Sequence, residues 1–410
     1  MSLDLRPPPR KAAPPRPGRA TSRRGASRLR ADALRRWRWI PITITVALLV
    51  PTLVSYGGAL TAPGNTSLSI RSTEWMRSHH FRWLVDDAEN FWYTHHQPKK
   101  GGLPPSALRA QLSGVTHRGQ GTTNSGVTGA LPAPAPIRPF AATPLLNEGV
   151  WRPLGQTVGG QPAMYVTYLR PDAVHTSLVA GVAWIDPKLV KAVGYAGLSQ
   201  PGGTGWANQV PIPDAVRPNL IAAFNSGFKM ADAEGGYYAA GRYAAPLRLG
   251  AATMWITADG TMHVGQWGRD VTMGPNVVFA RQNLSLIVDG GQPVPGVDTA
   301  NPAKWGVTVA NAVLVWRSGL GVTSDGALVY AAGPGLSALS LARLLARAGA
   351  VRAMELDINS AWVDFFTYAP APAGAPAADL TVNKLLVDMS PSIADYLTPS
   401  DRDFIALFRR

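Results

Sequence analysis

The 410-residue chain is 46% hydrophobic, enough for a sizeable core, and its lack of cysteine excludes a disulfide framework. The formal charge of +14 invites a nucleic-acid reading, but twelve Lys or Arg and two Asp in residues 1–38 hold +10 of it. The rest of the chain is nearly balanced, so no nucleic-acid partner is expected.

In chain order, residues 1–38 read as a basic, disordered cytoplasmic tail suited to anionic headgroups. No charged residue occurs from Trp39 to Ile70, and 39–57 reads as a transmembrane signal-anchor helix. A long basic segment before it and no small-x-small cleavage site after it favour an anchor over a cleaved signal. The Arg-rich tail puts the N-terminus in the cytoplasm and the bulk of the chain outside it. Residues 58–112 form a juxtamembrane helical segment. Within it, Trp75, Met76, Trp83, Leu84, Phe91 and Trp92 recur at two-turn spacing, which predicts one long helix ending at Gln97-Pro98. The doublets His79-His80 and His95-His96 do not suit a metal, because adjacent helix residues do not share a ligand position. Residues 113–145, rich in Pro, Gly and Ala, read as a linker.

From 146 to 390 the expectation is an α+β domain of mixed β-sheets with few helices. Asp259-Gly260, Asp289-Gly290 and Asp325-Gly326 sit between β-branched runs and predict tight hairpins. The predicted helix lies in 335–350, with Ser337 as N-cap, Leu341, Leu344, Leu345 and Ala348 buried, and Gly349 as its stop. Residues 391–410 read as a C-terminal helical tail begun by Thr398-Pro399-Ser400. The Ala-, Arg- and Pro-rich composition suggests a high-GC bacterium.

The stretch AMELDINSAW (353–362) sets Glu355 and Asp357 one residue apart in a period-2 apolar run. Residues i and i+2 of a strand share a face, so both acids are expected to point together. Two other segments stand out: AAFNSGFKM (222–230), where an apolar strand ends at Asn225, and WRSGLGVTSDG (316–326), with Arg317 at its start. In this order, NSGF, RSGLGVTSDG and a helix leading to ELD together resemble the phosphodiester glycosidase family. The match places Asn225, Gly227 and Phe228 on the first family motif, Arg317, Ser318, Gly321, Asp325 and Gly326 on the second, and Asp357 on the family's Asp. It covers roughly 220–368. Where the family has Asp-Gly-Gly, this chain has Asp357-Ile358-Asn359, and Glu355 replaces a common Asn.

The resemblance implies a hydrolase that releases a sugar from a phosphodiester, acting on a cell-envelope glycan or exopolysaccharide. The residues suit that chemistry. Two nearby carboxylates, Glu355 and Asp357, could serve as base or nucleophile, with coupled titration. Arg317 offers a bidentate fork for a phosphate diester. Asn225, Asn359 and Ser360 could bind the sugar. A phosphodiester is already a good leaving group, so no dedicated general acid is required. No cofactor is called for, although a Ca²⁺ or Mg²⁺ bridging Glu355, Asp357 and a phosphate would find hard oxygen ligands. Each residue also has a structural alternative. Asp357 can cap a turn, Glu355 can pair with Arg317 or Arg352, and Asn225 and Asp289 can be turn residues. The alternative function is a non-catalytic envelope protein that binds glycan or scaffolds polymer assembly. A serine hydrolase is disfavoured, since His175 and His263 lie in no nucleophile context.

Overall fold

The computed structural model describes residues 43–64, 66–114, 129–297, 302–306, 313–371 and 379–410. The basic tail, the first residues of the expected span and residues 115–128 of the expected linker lie outside the described residues. The chain divides into two compact units, one ending at Ala62 and one running from Pro63 to Arg410. The first contains helix α1 (Thr43–Thr61), whose 19 uncharged, mostly apolar residues are long enough to cross a hydrocarbon core.

The second unit opens with three helices, α2 (Leu68–Ser78), α3 (Arg82–His95) and α4 (Ser106–Ser113). The single long helix expected here is broken at 79–81. Backbone of His79 turns extended, its N–H bonds the Met76 carbonyl, and its ring Nδ1 lies 2.8 Å from the Trp75 carbonyl. Those contacts close the C-terminus of α2, and the chain folds back as a hairpin that lets Arg77 pair with Glu89.

Strands make up most of the remainder, and every strand ladder is antiparallel. An eight-stranded sheet has the order β1 (Arg152–Pro153), β4 (Met164–Leu169), β5 (Ala180–Ile185), β16 (Leu328–Leu336), β15 (Val315–Thr323), β17 (Ala350–Glu355), β13 (Leu286–Asp289), β14 (Gln292–Pro293). A five-stranded sheet has the order β11 (Met262–Gln266), β10 (Ala252–Thr257), β12 (Val277–Gln282), β8 (Tyr237–Ala239), β9 (Arg242–Ala245). A second has β19 (Leu380–Lys384), β18 (Phe365–Pro370), β7 (Leu220–Asn225), β20 (Phe404–Arg409), β6 (Val190–Tyr195). The short pair β2 (Thr157–Val158) and β3 (Gln161–Pro162) stands apart.

Period-2 alternation assigns each face of the large sheet to a different core. On β16, Leu328, Tyr330 and Ala332 join the core shared with Phe224, Phe279 and Phe365 of the smaller sheets. Val329 and Ala331 join the core under helix α5 (Ala338–Arg347). That helix forms as expected: Ser337 accepts from the Ser340 N–H in a capping box, and Leu341, Leu344 and Leu345 are fully buried. Two glycines of RSGLG let it settle. A Cβ on Gly319 would come within 2.9 Å of Leu345, and one on Gly321 within 2.6 Å of the Ala350 Cβ. All three Asp-Gly pairs turn hairpins, β10–β11, β13–β14 and β15–β16, with Gly260, Gly290 and Gly326 at positive φ.

Two segments differ from expectation. The described part of the linker packs onto the domain: Ile137 is buried and the Leu131 N–H donates to Asp186. The C-terminal segment is not helical. Its end is β20, paired on both sides by β6 and β7. FIALF is buried on both faces, and an apolar run of that length does not distinguish strand from helix by periodicity. Leu407→Ala is therefore expected to cost about 2–5 kcal/mol, the range for a buried leucine, in urea unfolding followed by fluorescence. A peripheral tail would give a near-zero change.

Candidate functional site

The three motif segments meet at the Ser318 peptide and hydroxyl on β15. The Asn225 side-chain amide donates to Ser318 Oγ at 3.0 Å, and the Asp357 N–H donates to the same oxygen at 3.1 Å. In return the Ser318 N–H donates to the Asp357 carbonyl, and the Leu356 N–H to the Ser318 carbonyl, both at 2.8 Å. Asn225 Oδ1 accepts from the Asp364 N–H and lies 2.9 Å from the Tyr330 hydroxyl. Asn225 is thus a brace behind the site, not a group facing a ligand. Asn283, not anticipated, ties a fourth element in. Its side-chain amide donates to the Glu355 and Leu356 carbonyls, and its Oδ1 accepts from the Phe228 N–H.

Beyond Glu355 the β17 ladder ends, and the two acids part. Glu355 turns to Arg317, and both side chains are all but sealed from solvent. Arg317 also donates to the Leu336 and Trp305 carbonyls. Glu355 Oε2 has no hydrogen-bond partner among the described residues. Burial raises the Glu355 pKa against the Arg317 cation. Asp357 instead turns outward. Its Oδ1 accepts from the Ile358 and Asn359 N–H groups at 2.8 and 3.0 Å, and Oδ2 pairs with Arg402 Nη2 at 2.7 Å. Burial raises its pKa as well, outweighing Arg402 and the two amides. The expectation of two acids sharing one face therefore fails, because the period-2 rule stops where the strand stops.

A cavity of about 940 Å³ lies over Asp357. Asp357, Asn359 and Ser360 line it, whereas Asn225, Arg317 and Glu355 do not. Arg402 lines it too, its guanidinium 5.0 Å from the Trp362 ring centroid and bonded to the Gly227 carbonyl. Its Nε is buried with no hydrogen-bond partner among the described residues. Ile358 packs with Phe228 and Leu284 on the wall, where the family pattern has glycine. The α2–α3 hairpin forms the roof, contributing Glu74, Arg77, Arg82, Asp86, Glu89 and Trp92. It is held by the buried Trp75 and Val85 and by an ion pair between Glu74 and Lys229, just after NSGF.

Sequence reasoning missed Arg402 and the roof. Reading FIALF as a strand would have exposed Arg402, since Phe404 pairs with Asn225 and sets the residues before it beside the NSGF turn. Asp289 is held in a turn network with Arg269. Among the described residues no cluster of three His, Asp or Glu forms a metal site, and the acids considered for a bridging cation each hold their own arginine.

No family model matches the sequence, and no curated protein matches it. Among solved structures, the chain is similar to the catalytic domain of a zebrafish N-acetylglucosamine-1-phosphodiester alpha-N-acetylglucosaminidase auto-inhibited by its pro-peptide. The identity is 14% over 63% of this chain and 88% of that one, with a TM-score of 0.39. It is also similar to a hypothetical protein from Synechocystis, at 13% identity over 63% of this chain and 64% of that one, with a TM-score of 0.36. Both likenesses are distant.

The Arg317–Glu355 pair is structural in this arrangement. Arg317→Met, which strands a buried carboxylate, should destabilise by about 3–5 kcal/mol, and the double variant Arg317→Met/Glu355→Met should regain most of that. Chemical denaturation of the three variants checks it; a double variant as unstable as the single would refute it.

Proposed function

We propose that the second unit is an extracytoplasmic hydrolase that releases a sugar from a phosphodiester in an envelope glycan or exopolysaccharide, anchored by α1 with the N-terminus in the cytoplasm. The convergence of three separated motifs on Ser318, which sets Asp357 beside Arg402 at the floor of a ligand-sized cavity, supports this reading most directly. The functional unit extends past the 146–390 span expected from sequence, because Arg402 and β20 belong to it.

In this reading Asp357 is the catalytic carboxylate, acting on water or on the anomeric carbon. Arg402 holds it and, with Lys229, meets the phosphate. Asn359 and Ser360 bind the sugar side. Glu355 plays no chemical part. One carboxylate suffices because the phosphate monoester released by cleavage at the anomeric carbon leaves without a protonating acid. The second reading, a glycan-binding protein without turnover, is favoured by one observation: Ile358 and Phe228 close on Gly306, where a Cβ would lie 2.8 Å from either side chain.

A panel of sugar-1-phosphodiesters separates the two. Wild type should release sugar, and Asp357→Asn, destabilised by the loss of Arg402's partner but assayed where circular dichroism shows it folded, should lose at least about 10²-fold in rate, the lower end for loss of an acid–base group. Saturable binding without release would favour the binding protein.

The pH dependence carries a sign. Asp357 must be ionised to act, and burial raises its pKa, so the acid limb of the rate profile should lie above the ordinary aspartate range. Arg402→Gln removes the cation that opposes this shift, and should move the limb further toward alkaline pH. A limb that stays put in the variant would separate Arg402 from the titration of Asp357.

A further inference from the structure

Helix α3 is amphipathic in an inverted sense. Arg82, Asp86 and Glu89 line the cavity, and Val85 is its buried apolar residue. Trp83, Leu84 and Phe91 are 60%, 43% and 65% exposed. Phe81 before the helix and Leu68 at the start of α2 are exposed as well. A helix that faces water normally carries polar residues on its outer face and apolar ones inward. Here Arg82, Asp86 and Glu89 face the cavity, while Trp83, Leu84 and Phe91 lie outside its lining, with the exposed Asp87 between them.

Chain connectivity indicates what covers that face. Six residues, 62–67, separate the end of α1 from the start of α2. Even fully extended, such a stretch reaches only about 20 Å. With α1 in a bilayer, a premise taken from the proposed anchoring, the hairpin is confined to the neighbourhood of the headgroup layer. That layer is where tryptophan rings partition and where in-plane helices bury an apolar face.

We propose that the outer face of the α2–α3 hairpin, carrying Trp83, Leu84 and Phe91, docks on the membrane that holds α1. The roof of the cavity is then a membrane-lying element, and the cavity is presented to ligands held at the bilayer surface.

The chain has no native cysteine, so single labels can be placed freely. Full-length Trp83→Cys and Phe91→Cys, each carrying an environment-sensitive fluorophore, would be reconstituted in phosphatidylcholine vesicles with and without brominated acyl chains. Leu249→Cys, at a site 82% exposed, serves as the aqueous reference. Labels at 83 and 91 should be quenched severalfold more by brominated lipid, and severalfold less by aqueous iodide, than the label at 249. Iodide quenching equal to that at 249, with no response to brominated lipid, would overturn the proposal. Protection from both quenchers would also overturn it, by placing protein instead of lipid on this face. Resistance of the same samples to alkaline carbonate extraction tests the anchoring by α1 separately, so a failure of that premise is recognised as such.

Discussion

The ion pair between Asp357 and Arg402 joins two different sheets across the floor of the site. Asp357 follows β17, an inner strand of the large sheet, and Arg402 precedes β20 of a smaller one. The pair therefore holds two sheets in register at the cavity floor. Two more buried pairs flank it, Arg317 with Glu355 and Arg281 with Asp403. Such pairs contribute little net stability, because desolvation offsets most of their attraction, but leaving one partner alone is costly. Their effect is selective: a packing that separates any of the three strands a charge in a dry interior. The motif order of the sequence becomes one geometry through that penalty.

The same constraint accounts for the roles the motif residues take. Arg317 and Glu355 sit among chemistry-like residues yet satisfy each other. Asn225 spends its amide on Ser318 and its carbonyl on Asp364 and Tyr330. Gly319 and Gly321 give α5 and β17 room to approach β15. Only Asp357 is turned out, and the turn that does it uses its own side chain as a cap for Ile358 and Asn359. The structural alternative for Asp357 and the functional one are thus compatible, since the cap is what aims the second carboxylate oxygen at Arg402.

The strands, the Asp-Gly hairpins and α5 were legible in the sequence because each depends on local periodicity or turn chemistry. The site was legible in part. Asp357, Asn359 and Ser360 line the cavity, but Glu355 was misplaced by extending strand alternation past the end of β17. Arg402 and β20 were hidden because a short apolar run has no decisive period. The break in the juxtamembrane helix was hidden too, since it depends on His79 bonding back to the preceding turn while the aromatic spacing continues across it. For Arg402 and β20 what was missing was non-local pairing, which a single sequence does not encode at the residue concerned.

The electrostatics of the cavity set a condition on any anionic ligand. Three of its cations are closely engaged, Arg402 by Asp357, Lys229 by Glu74 and Arg77 by Glu89, while Arg82, 72% exposed, lies 3.7 Å from Asp86. A phosphate therefore gains less from simple attraction than from replacing a carboxylate, an exchange of one ion pair for another with a small net change. Discrimination must then come from shape and from hydrogen bonds at Asn359, Ser360 and the Trp362 face. Since the Lys229–Glu74 pair also ties the roof to the floor, a ligand that captures Lys229 loosens the hairpin. In the proposed reading, occupancy of the cavity and attachment of its roof would be coupled through that lysine.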